Sequence, residues 1–367
     1  MKRFKNGHRP DYFLAALFAI LTVAGLVILT SASSDLGRIK FGDSYYYLKH
    51  QLLFGVLPGL VGLIVAYKLN YQRYRAFAFL LLLLNLGLLA LVFTKFGIVA
   101  GGASRWLKLG PITFQPAELL KLTFIVYLAA WLTNPKVSRV RNYSEGLVPF
   151  LVICAFVASL LLLQPATSMV IILIGTGLVI YFLSGAQLKH LVLVAVLGVV
   201  ALGVIIYGTP YRRQRIQSFF NKDQDTQGSS YQLNQALNAI GSGGLTGVGY
   251  GQSASKVNYL PAPTDDSIFA VAAQELGFIG AGGLVVLFGL VVFRLMWVAK
   301  SVRDRFGQLI LIGFGFIIAA QSLVNMGAIS GLIPLTGVPL PFVSYGGTAL
   351  AVFLTMAGIS LNISKYS

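Results

Sequence analysis

Apolar runs of bilayer-spanning length alternate with short polar stretches along nearly the whole chain. They fall at about 12–31, 48–67, 76–95, 117–132, 147–163, 166–184, 189–207, 267–293, 307–327 and 345–362. A helix needs about 20 apolar residues to cross the hydrocarbon core. The pattern therefore predicts an all-α polytopic membrane protein, a bundle of about ten transmembrane helices. The run at 117–132 is short and carries Glu118 and Lys121, but Trp131 and Asn134-Pro135 end it cleanly. The first run follows Lys2, Arg3, Lys5 and Arg9, as a secretory signal would, and Ser31-Ala32-Ser33 would pass as a cleavage site. It is longer than a signal core and further runs follow at once, so it reads as a retained first helix.

Composition agrees. Of 367 residues 56% are hydrophobic and only 11% charged, and the mean hydropathy is +0.79. Soluble domains carry about a quarter charged residues. The net charge of +17 does not point to nucleic acid, because no soluble basic domain exists to carry it. It sets orientation instead, since Lys and Arg collect in short cytoplasmic loops. Lys68, Arg73, Arg75, Lys136, Arg139, Arg141, Lys189, Arg294, Lys300, Arg303, Arg305 and Lys365 share the side of the N-terminus. Both termini are expected in the cytoplasm. Residues 1–367 form one transmembrane domain, with 1–11 as a cytoplasmic tail and 208–266 as a large extracytoplasmic loop. Cys154 has no cysteine to pair with, and His8, His50 and His190 lack metal-ligand spacing.

The cytoplasmic loops are short and plain, whereas the three outer connections are rich in Gly and Pro, so chemistry is expected outside. The first outer connection holds Arg105 and Trp106, suited to phosphate and headgroup depth; an ordinary aromatic-belt anchor fits equally. Glu118 and Lys121, three apart, share a helix face, as an intramembrane ion pair or a functional pair. The second has the basic cluster Tyr211-Arg212-Arg213-Gln214-Arg215, suited to anionic lipid or a diphosphate or to simple solvation. It continues into a short interfacial helix at 231–237 and the stretch Gly241-Ser242-Gly243-Gly244-Leu245-Thr246-Gly247-Val248-Gly249-Tyr250-Gly251. Such glycines allow close backbone approach. It ends at Thr264-Asp265-Asp266, where the next apolar run begins. One acid would serve as a helix cap; the second suits a general base or a divalent-cation ligand. Glu275, nine residues on, faces away from Asp266. The last connection, 331–347, is uncharged and rigid with proline.

Jointly, Gly102-Ala103-Ser104-Arg105-Trp106-Leu107, Phe114-Gln115-Pro116-Ala117-Glu118, Gly241-Ser242-Gly243-Gly244-Leu245, Asp266 with Ile268-Phe269-Ala270, and Pro339-Leu340-Pro341-Phe342-Val343-Ser344-Tyr345-Gly346-Gly347 resemble the SEDS family of bacterial cell-wall proteins, which includes RodA and FtsW. The resemblance covers nearly the whole chain and is nearer the division branch (FtsW) than the elongation branch (RodA). It implies a peptidoglycan glycosyltransferase of the bacterial cytoplasmic membrane that polymerises lipid II. Its partners would be a class B penicillin-binding transpeptidase, other divisome membrane proteins and membrane lipid. The family's essential aspartate falls on Asp266. Substrate contacts are expected from Arg105, Trp106, Glu118, Lys121, Arg212, Arg213 and Ser344. Mg2+ or another divalent cation, if used, would sit on Asp266 and Asp265. Inversion at C1, with undecaprenyl diphosphate leaving, needs one base and no covalent intermediate. A lipid II flippase and a non-enzymatic division scaffold are the competing classes. The chain departs from the family at Gln164-Pro165-Ala166-Thr167-Ser168-Met169, which lacks two usual acids, at Asp265 for Thr, at Ser267 for an aromatic, and at His50 for Arg.

Overall fold

A computed structural model of the chain describes residues 8–100, 103–110, 112–134, 140, 142–209, 212, 213, 215, 219, 229–253, 255 and 260–367. Lys2, Arg3, Lys5, Gly102, Lys136, Arg139, Arg141, Tyr211, Gln214 and, in the 208–266 loop, residues 210, 216–218, 220–228, 254 and 256–259 lie outside the described residues.

All ten apolar runs form helices. These are α1 (Tyr12–Phe41), α2 (Tyr46–Lys68), α3 (Gln72–Leu91), α4 (Pro116–Leu132), α5 (Tyr143–Leu163), α6 (Thr167–Leu183), α7 (Leu188–Tyr207), α9 (Ile268–Ser301), α10 (Arg305–Ile329) and α11 (Gly347–Ser364); α8 (Ser229–Ser242) is an additional short helix. Among the described residues eight are long and apolar enough to cross a membrane; α4 and α6, at 17 residues each, are shorter. The chain is a multi-pass helical membrane protein. Local chemistry sets the ends. The Asp11 carboxylate accepts from Leu14 N–H at 2.9 Å to start α1, and Gly42 stops it at φ 70°. Pro116 sits in the first turn of α4, where its missing N–H costs nothing.

The centre of the bundle is α4, α10 and α11, buried along most of their length. At the edge, α7 buries only His190 and Val194. Lipid tails are as apolar as the side chains, so helices associate through close packing and polar contacts rather than burial alone. Gly59 of α2 faces Ala351 and Leu354 of α11, Gly62 faces Thr355, and Gly358 of α11 faces Leu63. A methyl group on Gly59 or Gly62 would strike Leu354 or Thr355, and one on Gly347 or Gly358 would strike the backbone of Phe54 or Leu63. Both chain ends meet at the far end of α11. His8 N–H donates to Lys365 C=O at 3.0 Å, and Asp11 N–H to Ser364 Oγ at 3.0 Å.

Two features differ from the sequence reading. The first outer connection folds into a three-stranded antiparallel sheet, β1 (Gly97–Ala100), β2 (Ala103–Leu109) and β3 (Ile112–Phe114), pairing Ile98 with Trp106 and Lys108 with Thr113. The apolar run after Asp266 is not one uninterrupted helix: α9 breaks at Gly277, whose φ of 67° and ψ of −170° are not helical. Residues 268–275 are a buried half-helix, and the exposed, lipid-facing surface begins at Leu276 and Phe278.

Candidate active site

The half-helix of α9 fixes where Asp266 stands. It starts at Ser267, whose own side chain makes no cap bond. A tight turn precedes it: Asp265 N–H and Ser267 N–H both donate to Ala262 C=O, at 3.1 and 3.3 Å. From the other side, Asn325 Nδ2 of α10 donates to Asp266 C=O at 2.8 Å and to Val338 C=O at 2.7 Å. Ser344 Oγ donates to Asp265 C=O at 2.5 Å and accepts from Leu340 N–H at 2.8 Å. The proline-rich loop is thus tied to the two acids through their backbone.

The glycine-rich stretch packs against protein. Val248 N–H and Gly249 N–H donate to Gln274 C=O and Glu275 C=O at 3.0 and 3.1 Å, and Phe278 N–H and Ile279 N–H donate to Gly244 C=O and Leu245 C=O at 2.9 and 3.1 Å. The backbone groups freed by the break at Gly277 are satisfied there. Glu275 indeed turns away from Asp266: its Oε2 accepts from Ser31 Oγ of α1 at 2.5 Å.

Asp265 and Asp266 open onto a cavity of about 740 Å³ whose wall also includes Arg105, Trp106, Glu118, Arg212 and Arg215, with apolar Met169, Ile171, Ile206 and Leu335. This brings together residues from all three outer connections. Arg105, on β2, is held by its Nε on Gln164 C=O at 2.9 Å and its Nη2 on Pro165 C=O at 2.7 Å. The altered Gln164-Pro165 turn therefore anchors a cation through its carbonyls. Lys121, Arg213 and Ser344 do not line the cavity. Lys121 is fully buried, 2.6 Å from Glu118 Oε2 and donating to Gln321 Oε1 at 2.8 Å; its contact is with Glu118, which reaches the cavity. Arg213 is exposed.

Burial in the narrow cavity pushes the Asp265 carboxyl up to about 6, and the neighbouring Asp266 charge adds to the rise, although Asp265 touches solvent. Asp266, half-buried, is also raised by burial; Gln232, its own backbone N–H and the Arg215 charge act the other way. A carboxylate raised in this way is a better proton acceptor once ionised. Four residues were not singled out as site residues from sequence: Arg215 and Tyr345, which line the cavity, and Gln232 and Asn325, which bond to Asp266. Tyr345 OH lies 2.8 Å from His50 Nδ1, and its N–H donates to Thr264 C=O at 2.9 Å. Arg215 had a signal in its basic cluster. Gln232 and Asn325 are neutral amides on helices, and nothing in their spacing marks them.

Residues 12–367 match the FTSW_RODA_SPOVE family, described as cell cycle protein. Stage V sporulation protein E of Bacillus subtilis (strain 168) is 36% identical over 359 residues, covering 98% of each chain. A protein of Trichlorobacter lovleyi named probable peptidoglycan glycosyltransferase FtsW is 37% identical over 358 residues, covering 96% of this chain and 93% of that one. Among solved structures, a chain from a study titled structural coordination of polymerization and crosslinking by a peptidoglycan synthase complex superposes with a TM-score of 0.81 at 29% identity, covering 97% of each chain. The rod shape determining protein RodA of Thermus thermophilus gives a TM-score of 0.70 at 30% identity, covering 97% of this chain and 96% of that one.

Proposed function

Because the chain belongs to the FTSW_RODA_SPOVE family of cell cycle proteins, we propose that it is a peptidoglycan glycosyltransferase polymerising lipid II into glycan strands, in cell division. Relatives named peptidoglycan glycosyltransferase FtsW support the activity and the division role. The observation that carries the mechanism is a carboxylate pair in one cavity with Arg105, Arg212 and Arg215.

Asp266 accepts the proton of an acceptor sugar hydroxyl as its oxygen bonds to C1 of the donor. The bond from C1 to the polyprenyl diphosphate breaks in line, so configuration inverts. The negative charge left on the diphosphate is met by the guanidinium groups. Arg105, oriented beforehand by two carbonyls, needs little reorganisation. Two adjacent carboxylates and a substrate diphosphate form an oxygen donor set that suits Mg2+, which takes one or two protein carboxylates alongside phosphates. Asp265 and Asp266 would hold it, and it would neutralise the leaving group. Among the described residues no three acidic, His or Cys side chains converge, so the substrate and water would supply the remaining ligands.

We place the cavity at the outer face of the bacterial cytoplasmic membrane and both termini in the cytoplasm. Support comes from the meeting of the two ends at one end of α11 while Gly346 and Gly347 border the cavity at the other. The 18 residues of α11 separate them by roughly 27 Å at 1.5 Å per residue. An even number of crossings follows. The likeness to a chain from a peptidoglycan synthase complex supports a class B penicillin-binding transpeptidase as partner.

The test is reconstitution of the full chain with lipid II, with and without a class B transpeptidase, comparing wild type with Asp266→Asn. Wild type should build glycan strands and the variant should lose at least a hundredfold, about the contribution of a general base. Full activity in Asp266→Asn would remove the base. Substrate crossing the bilayer in both proteins would favour a flippase, and intact partner binding with neither event a scaffold.

A further inference from the structure

Asp266 has one side-chain neighbour that the chemistry above does not use. Gln232, on α8, places its Nε2 3.3 Å from Asp266 Oδ2, 3.4 Å from Asp266 Oδ1 and 3.0 Å from Ser267 Oγ. An amide nitrogen carries two hydrogens. One is directed to the Ser267 hydroxyl; the other is shared between the two carboxylate oxygens. The reverse orientation would set the amide oxygen against the lone pairs of an ionised carboxylate, so the donor must face Asp266.

The amide arrives on a rigid support. Leu233, Ala236 and Ala239 bury one face of α8. Beyond its C-terminal end, the Gly243–Gly249 turn is laced by backbone bonds to residues 274–279 of α9. Gly243 and Gly247 have no room for a methyl group against Ala273 and Glu275. Thus α8 and the half-helix are joined at both ends, by Gln232 at the acid and by the glycines at the break. A side chain held on such a frame loses little freedom when it makes its bond.

We propose that Gln232 is a positioning residue: it fixes the plane of the Asp266 carboxylate so that one oxygen is presented to the acceptor hydroxyl. The inference rests on the reading of Asp266 as the base.

The experiment is the kinetics of lipid II polymerisation by the reconstituted full chain, for wild type, Gln232→Met and Gln232→Glu. Met keeps the length of Gln without its donor. Gln232→Met should lower kcat roughly tenfold with KM little changed, because the base is mis-aimed while binding is intact. Gln232→Glu, which replaces the donor by a like charge, should lower kcat at least as far. An unchanged kcat in a folded variant, or a loss carried by KM alone, overturns the proposal. If Gln232→Met fails to fold, the isosteric Gln232→Glu carries the same comparison. Activity retained in Asp266→Asn would strike the base itself; an inactive Asp266→Asn with an unchanged Gln232→Met kcat would strike the positioning alone.

Discussion

Asp265 and Asp266 are neighbours in sequence with different surroundings. Asp266 is half-buried and supported by Gln232 and the Arg215 charge, while Asp265 opens to the cavity without a cation bonded to it among the described residues. The raised Asp265 carboxyl means that the folded protein binds this proton more tightly than the unfolded chain. Its contribution to stability is therefore complete below the unfolded value of 3.8 and is lost as pH rises through about 6. Asp265→Asn should melt at a higher temperature than wild type at pH 7–8, with the gap closing towards pH 4, in thermal unfolding of the detergent-solubilised protein. An equal gap across that range would show that charge is not the cause. At this scale the sequence pointed to the acids because carboxylates are scarce in so apolar a chain. It could not separate Lys121 from the cavity, since a shared helix face says that Glu118 and Lys121 meet but not which of them sees solvent. Ser344 illustrates the same limit: its place in a motif did not show that its hydroxyl ties Asp265 C=O to Leu340 N–H.

Among the elements, the ten helices were legible because each is a long apolar run, and hydropathy reports length directly. The break at Gly277 was not. A lone glycine inside an apolar run looks the same whether it packs a straight helix or interrupts one; the difference lies in the remote segment 243–249, which supplies the partners for the freed backbone. The sheet at 97–114 was hidden for a related reason, being three short strands in a Gly-rich stretch with no sustained alternation. Gly247 tests the lacing. Its φ is +84°, and a methyl group there would collide with Glu275 C=O. Gly247→Ala should lose about 1–3 kcal/mol of stability from backbone strain and should lower polymerisation by displacing α8. Gly87→Ala, on α3 with open space around it, is the control and should be neutral or gain up to about 1 kcal/mol from helix propensity. Denaturant or thermal unfolding of both variants checks this; equal behaviour would deny the lacing its role.

For the whole molecule, orientation was read from the distribution of Lys and Arg, and the pairing of His8 with Lys365 and of Asp11 with Ser364 is what an even number of crossings would give. Cys154 is buried and without a disulfide, so Cys154→Ala should give a folded, cysteine-free background. A cysteine placed at Asp43 should then react with a membrane-impermeant maleimide from outside intact cells, and one placed at Ser367 only after lysis. The reverse pattern would invert the topology. The glycine contacts between α2 and α11 have a consequence for biosynthesis. His50 and Phe54 enter the membrane early in translation, whereas Tyr345, with Gly347 their companion around the cavity, follows His50 by 295 residues. The cavity consequently lacks one side until α11 has been made, so a nascent or truncated chain ending before α11 would carry Asp266 beside Arg105 and Met169 but without the wall that Tyr345 and Gly347 complete.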